Sequence, residues 1–215
     1  MFSKIFPKIH AEGYKFLVIA GIITIIFYTF SNFLALIGLL LTVWIYYFFR
    51  DPDRVIINND NYLVSPADGE VIKVEEVDGP RELGLENKKF KKISIFMNVF
   101  DCHVNRIPCS GKVEEILYKP GKFLNASFDK ASEDNERNYY KIKDNAGNNI
   151  IVVQIAGLIA RRIVCETNNG QTLNQGDRIG MIRFGSRADV YYENYEPLVK
   201  VGQKAISGET LLAKK

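Results

Sequence analysis

The chain has 215 residues, 47% of them hydrophobic, and 28 basic against 25 acidic side chains leave a net charge of only +3. That length allows one domain of ordinary size plus an appendage, and the near balance of charge gives none of the basic excess that nucleic acid demands. The three cysteines, Cys102, Cys109 and Cys165, are odd in number and lack Cys-x-x-Cys spacing; this argues against a metal site or a disulfide framework and for small buried side chains in a reducing compartment.

The first feature in chain order is a stretch from Phe16 to Phe49 without a charged side chain. As one helix its roughly 34 residues would run about 51 Å, too long for a bilayer core of about 30 Å. Ser31-Asn32 stands near the middle and offers a turn, so the stretch is expected to form a hydrophobic hairpin with helices over 16–30 and 33–49. Lys4, Lys8 and Lys15 precede it and Arg50 and Arg54 follow it. In a hairpin both ends lie on one side, and positive flanks put that side, with the domain that follows, in the cytoplasm at the cell membrane. Trp44, Tyr46 and Tyr47 suit an interfacial aromatic belt. The apolar run is too long for a cleaved signal peptide, and no small-residue cleavage site precedes Arg50-Asp51-Pro52.

Arg50-Asp51-Pro52-Asp53-Arg54 reads as a linker, dividing the chain into residues 1–50 and 51–215. Beyond it the apolar–polar alternation has the period of half-buried strands. Strands are expected over 69–77, 92–97, 111–118, 139–143, 149–155, 162–165, 178–182 and 189–192, with a hairpin turn at Asp144-Asn145-Ala146-Gly147-Asn148. Short strands at this spacing predict a mainly β domain, a sandwich or a barrel. Residues 123–138 are polar and irregular, a long loop. Lys88-Lys89-Phe90-Lys91-Lys92 reads either as a contact for anionic headgroups or as a solvated strand edge kept from pairing by lysine.

Three segments carry chemistry. In Gly185-Ser186 a serine hydroxyl stands next to a glycine carbonyl that no side chain shields. Attack on that carbonyl turns the amide into an ester; elimination then leaves dehydroalanine, which hydrolyses to a pyruvoyl group capping the new chain. His103 is the one imidazole beyond the hydrophobic run and titrates in the useful range; it lies in a polar cluster with Asp101, Asn105 and Arg106. Asp68, in the turn-like Ser65-Pro66-Ala67-Asp68-Gly69, is a carboxylate that can orient or deprotonate a partner, as in serine–histidine–aspartate arrangements.

Taken together, Ser65-Pro66-Ala67-Asp68-Gly69, then His103-Val104-Asn105-Arg106-Ile107-Pro108, then Phe184-Gly185-Ser186-Arg187 resemble the short, archaeal-type form of the phosphatidylserine decarboxylase proenzyme family, in order and at matching distances over nearly the whole chain. The resemblance implies self-cleavage between Gly185 and Ser186, giving a β chain of residues 1–185 and an α chain of 186–215 that stay together as a heterodimer. It implies a covalent pyruvoyl cofactor made from Ser186, a role for Asp68 in self-processing and one for His103 at the active site. The implied reaction is decarboxylation of phosphatidylserine to phosphatidylethanolamine in phospholipid biosynthesis, with the substrate in the membrane. Longer members carry Gly-Ser-Thr at the cut and a second histidine where this chain has Arg106. Either His103 therefore serves both processing and decarboxylation, the preferred reading, or processing uses Asp68 with backbone geometry. Arg106 or Arg187 holds the lipid phosphate or pairs with a processing carboxylate.

Three rivals make different demands. A biotinyl or lipoyl carrier also opens with Ser-Pro-Ala-Asp-Gly-Glu-Val, yet the expected lysine in a tight hairpin is not evident. A soluble pyruvoyl amino-acid decarboxylase needs no hydrophobic hairpin. A serine hydrolase using Ser186, His103 and Asp68 lacks the Gly-x-Ser-x-Gly elbow.

Overall fold

A computed structural model of the chain describes residues 6–123, 134–157, 162–183 and 186–215. It divides into two units, Met1–Asp53 and Arg54–Lys215.

The first unit is the expected helical hairpin, α1 (Tyr14–Phe30) and α2 (Asn32–Phe48). Ser31 serves both helices. Its N–H closes α1 on the Phe27 carbonyl, and its hydroxyl accepts from the Phe33 N–H at 3.2 Å to cap α2. The α1 arm starts earlier than expected because a 3₁₀ turn, Ala11–Gly13, leads into it from a His10 cap. Ala11–Phe30 thus forms 20 residues of mean hydropathy 1.8, about 30 Å of helix and long enough to cross a bilayer. The arms meet at Thr24 and Thr42, whose hydroxyls are 3.0 Å apart. Gly38 permits this approach, since a Cβ there would stand 3.0 Å from the Thr24 Cα. At the open end the two strands of chain are tied together by His10 N–H to Phe49 O at 2.8 Å and Asp51 N–H to Lys8 O at 2.7 Å. Outward faces carry Ile22, Ile25, Phe30, Phe33 and Leu40, all exposed. An apolar surface of that extent suits lipid rather than water, so the hairpin is compatible with membrane association.

The second unit is β-rich, and its strands pair antiparallel among the described residues, with one isolated parallel bridge between Lys122 and Asn135. Its main sheet contains β2 (Gly69–Asp78), β3 (Lys89–Met97), β5 (Gly111–Lys119), β6 (Arg137–Asp144), β7 (Asn149–Ala156), β9 (Thr172–Leu173), β11 (Ser186–Tyr192) and β13 (Lys204–Ala205), in the order β13-β2-β3-β11-β7-β6-β5-β9. Two smaller sheets have the orders β1-β14-β12 and β4-β10-β8, built from β1 (Tyr62–Val64), β4 (Val104–Arg106), β8 (Ile163–Cys165), β10 (Arg178–Ile182), β12 (Glu196–Pro197) and β14 (Leu211–Lys214). Alternation along each strand gives the main sheet two faces. The inner face carries the large core, with Ile95, Met97, Val152, Ala188 and Val190. The outer face carries a smaller apolar cluster of Phe90, Tyr139, Ile151, Val153 and Ile155.

The β6–β7 turn forms as its residues predict. Asp144 Oδ1 accepts from the N–H groups of Ala146 at 3.0 Å and Asn148 at 2.7 Å, and Gly147 supplies the left-handed φ of 86°.

Three expectations are corrected. The lysine-rich segment opens β3, which lies between β2 and β11 and is no sheet edge; Lys89 pairs with Asp78 at 2.7 Å and Lys92 with Glu75 at 2.7 Å. Cys102 and Cys109 are buried, but Cys165, the last residue of β8, is exposed. The expected loop over 123–138 ends earlier, since Arg137 and Asn138 already pair with Ile155 and Gln154 in β6; residues 124–133 of that loop lie outside the described residues.

Candidate active site

Ser186 is the first residue of β11, the strand between β3 and β7, and pairs with Met97 on one side and Ala156 on the other. It shares the inner face with Ala188 and Val190 and is fully buried. Its hydroxyl donates to the Met97 sulfur at 3.7 Å, a weak acceptor that leaves the oxygen's lone pairs uncommitted. Phe184 and Gly185, on the amino side of the expected cut, lie outside the described residues.

Met97 is where the three sequence motifs meet. Its sulfur also receives the Asn105 amide at 3.6 Å, and the same amide donates to the Pro66 carbonyl at 3.3 Å. The Ser186 strand and the segment 103–106 therefore meet on one thioether, and the loop 65–69 joins them through the Asn105 amide. Behind it runs a fully buried neutral network: Tyr140 Oη to Gln154 Oε1 at 2.9 Å, then Gln154 Nε2 to Asn105 Oδ1 at 2.8 Å. Burial pushes the Tyr140 pKa well up, so it remains a phenol. Sequence reading missed Gln154 and Tyr140, and it left Asn105 without a role; a glutamine inside the apolar run 150–155 is itself a signal, because a buried amide needs partners.

His103 is completely buried, immediately before β4. Its Nδ1 lies 2.9 Å from the Asp101 carbonyl oxygen. A carbonyl only accepts, so Nδ1 carries the proton in that bond and Nε2 is the basic nitrogen of the neutral ring. The His103 carbonyl accepts from the Ile182 N–H at 3.3 Å, which sets the residue beside β10, the strand leading toward Ser186.

Asp68 is held apart from that imidazole. One carboxylate oxygen accepts from Arg54 at 2.7 Å and the other from the Ser207 N–H at 2.8 Å. The Ser207 hydroxyl in turn donates to Pro66 O at 3.1 Å. The Asp68 turn is packed tightly: at Gly69, φ 147°, a Cβ would fall 2.1 Å from the Phe96 carbonyl oxygen, so only glycine serves there. In the intact chain Ser186, His103 and Asp68 thus share a neighbourhood without forming a hydrogen-bonded triad among the described residues.

The two arginines part company. Arg106 belongs to the Asp68 neighbourhood: its N–H donates to Pro66 O at 2.9 Å, and its guanidinium to Gly176 O at 2.9 Å. Arg187 leaves β11 on the outer face, opposite to Ser186, and its guanidinium grips Asp189 through bonds of 2.7 and 2.6 Å. Arg187 therefore faces away from Ser186, since a strand sends successive side chains to opposite sides.

Residues 186–215 supply β11, β12, β13 and β14. They hold the position between β3 and β7 in the main sheet and the middle position of the β1-β14-β12 sheet.

Comparison with known proteins agrees with this arrangement. The family model described as phosphatidylserine decarboxylase matches residues 41–213. A protein of Pelagibacter ubique named phosphatidylserine decarboxylase proenzyme is 76% identical over 215 residues, all of both chains. Proteins of the same name from Ruegeria pomeroyi and Cereibacter sphaeroides are 54% and 52% identical, covering 95% and 99% of this chain and 94% and 92% of their own. With its three motifs gathered around one buried serine and relatives matching it end to end, the chain belongs to the phosphatidylserine decarboxylase family.

Proposed function

We propose that this chain is a proenzyme that cuts itself between Gly185 and Ser186 and then decarboxylates phosphatidylserine to phosphatidylethanolamine. The observation that carries this reading is Ser186 itself: a fully buried hydroxyl at the first position of an interior strand, in a chain whose relatives are named proenzymes. In the cut, Ser186 Oγ displaces the amide nitrogen from the Gly185 carbonyl to give an ester. Loss of the residue-186 α-proton together with the Gly185 carboxylate leaves a dehydroalanine, and water then replaces its nitrogen, released as ammonia.

The resulting pyruvoyl group has the carbon skeleton of the serine it replaces, so the position between Met97 and Ala156 on the neighbouring strands takes it without added bulk. When present, such a ketone supplies an electron sink for decarboxylation of an amino acid.

The remaining work falls to the chain's own side chains. His103, with its Nδ1–H held by the Asp101 carbonyl, first takes up a proton at its basic Nε2 and then delivers it to the substrate carbon that loses carbon dioxide. Asp68, bound to Arg54, acts in self-processing through the 65–69 loop. Arg106 is the arginine on the Asp68 side, suited to the lipid phosphate. The neutral network behind Met97 keeps competing charges away from Ser186.

After the cut, residues 186–215 stay as one chain of a heterodimer, because removing them would take β11 out of the main sheet and β14 out of the small one. The hairpin anchors the enzyme in the cell membrane, where substrate and product both reside. Its flanking Lys8, Lys15, Arg50 and Arg54 support a cytoplasmic side for the catalytic unit.

The test is a denaturing gel of purified protein together with a decarboxylation assay on phosphatidylserine vesicles. Wild type gives a large piece and one of about 30 residues, whereas Ser186→Ala gives one full-length, inactive chain. An intact wild-type chain with full activity overturns the proposal.

A further inference from the structure

Ser186 and Arg187 are neighbours that face opposite sides of the sheet. On the outer side, Arg187 Nε donates to Asp189 Oδ1 at 2.7 Å and Arg187 Nη2 to Asp189 Oδ2 at 2.6 Å. Both side chains are 1% exposed. Arg187 stands across from Phe96 and Ile155, and Asp189 across from Ser94 and Val153, so the pair sits against the outer apolar cluster.

Stability alone does not account for such a pair. Ions taken out of water recover their lost hydration only with good geometry, and apolar residues of similar volume commonly do as well or better. What a bidentate pair adds is direction, because two parallel hydrogen bonds fix the guanidinium plane against the carboxylate. Here the two residues are i and i+2 on one strand, so the fork also holds that stretch of backbone extended.

We propose that the Arg187–Asp189 pair is a clamp that keeps residue 186 in register once the backbone on its amino side has been cut. The inference rests on the functional reading above. Before the cut, residue 186 is held by chain on both sides. Afterwards it is a chain end, and chain ends fray unless something ties them down. The clamp acts on the outer face and leaves the inner face, with Met97, His103 and Asn105, clear for the substrate. Arg187 and Asp189 are therefore positioning residues. They touch no reacting atom but hold the strand that carries one.

The test uses the full-length protein with three changes: Arg187→Met combined with Asp189→Leu, the conservative Arg187→Lys, and the same changes placed on Ser186→Ala, which stays uncut. Hydrogen exchange of the peptide covering 187–192 is followed by mass spectrometry, beside kcat and KM on phosphatidylserine vesicles. In the self-cut enzyme the apolar pair is expected to speed exchange at 187–190 by about tenfold, as for a locally opened strand end. It lowers kcat by a similar factor and moves KM less than about twofold. Arg187→Lys, which keeps the charge but loses the fork, falls between the apolar pair and wild type and reports on the clamp if the apolar pair does not fold. In the uncut background the substitutions leave exchange unchanged.

Equal acceleration in cut and uncut proteins makes the pair an ordinary structural contact and overturns the clamp. So does an apolar pair, or an Arg187→Lys enzyme, that matches wild type in both exchange and kcat. A wild-type chain that is never cut removes the functional reading first and the clamp with it, which separates the two failures.

Discussion

The two faces of the main sheet solve opposite problems. Around Ser186 the inner face is polar but uncharged: a phenol, two amides, a thioether and an imidazole, each placed by hydrogen bonds to neutral partners. The outer face is built from charge pairs. Arg187 grips Asp189, Glu82 binds Lys119 at 2.8 Å and Arg137 at 3.2 Å, and Lys92 meets Glu75. A polar cavity of about 600 Å³ lined by Arg81, Glu82, Lys119 and Arg137 opens on that outer side, away from the serine. The difference teaches that size of cavity and density of charge do not mark the chemistry here. On the function proposed above, the reacting position is a tight place where, among the described residues named here, the groups around the new ketone are neutral and one imidazole serves proton transfer.

His103→Ala is expected to break the inner face most severely. Loss of a positioned general acid lowers kcat by about 10²–10⁴-fold, measured on vesicles with protein that has already been cut. If the uncut band also accumulates on a denaturing gel, His103 serves processing as well as decarboxylation.

Next comes Asn105→Leu, which strands the Gln154 amide and removes a donor from Pro66 O. An unsatisfied buried group of this kind costs about 1–3 kcal/mol, read from the shift in urea midpoint, and self-cutting slows because the 65–69 loop and Met97 lose their common tie. Gln154→Leu made together with it relieves part of the stability loss, which sharpens the claim that the amides act as a unit.

A smaller effect concerns Asp144, an inner-face carboxylate at the turn end of the β6–β7 hairpin. Burial raises the pKa of Asp144, but hydrogen bonds from the Asn148 side chain and backbone, then from Tyr195 and Lys215, outweigh it and leave the pKa below its ordinary 3.8. A depressed folded-state pKa means that its contribution is whole above the unfolded value. It is lost as pH falls from that value through the lower, folded one. Urea midpoints measured downward from pH 5 fall in wild type, and in Asp144→Asn they fall less steeply.

The weakest expectation is on the outer face. Lys92→Gln breaks a pair whose glutamate is 39% exposed, so solvent screening limits the loss to about 0.5 kcal/mol or less, with the cut and kcat unchanged.

Much of this was legible before the fold. The seven strands of five or more residues announce themselves because alternation needs that length to show, whereas β8, with three, is read from its apolar Ile163-Val164-Cys165 alone. The strands β1, β4, β9, β12, β13 and β14 have two to four residues, too few for any period, and their pairing is set by distant partners such as Val64 with Leu211. Ser186 was readable as a candidate from Gly185-Ser186. Its face was readable too, since it alternates in phase with Ala188 and Val190, and the same phase already sends Arg187 to the other side. The grip of Arg54 on Asp68, and of Asn105 on Gln154 across 49 residues of chain, is a product of tertiary packing, for which neither residue carries a local mark.

The most direct measurement is the intact mass of the small fragment from purified wild-type protein. The account predicts a chain of residues 186–215 whose first residue has exchanged its amine for a ketone, accompanied by a partner ending at Gly185. A single uncut chain, or a fragment that still begins with an unmodified serine, would contradict it.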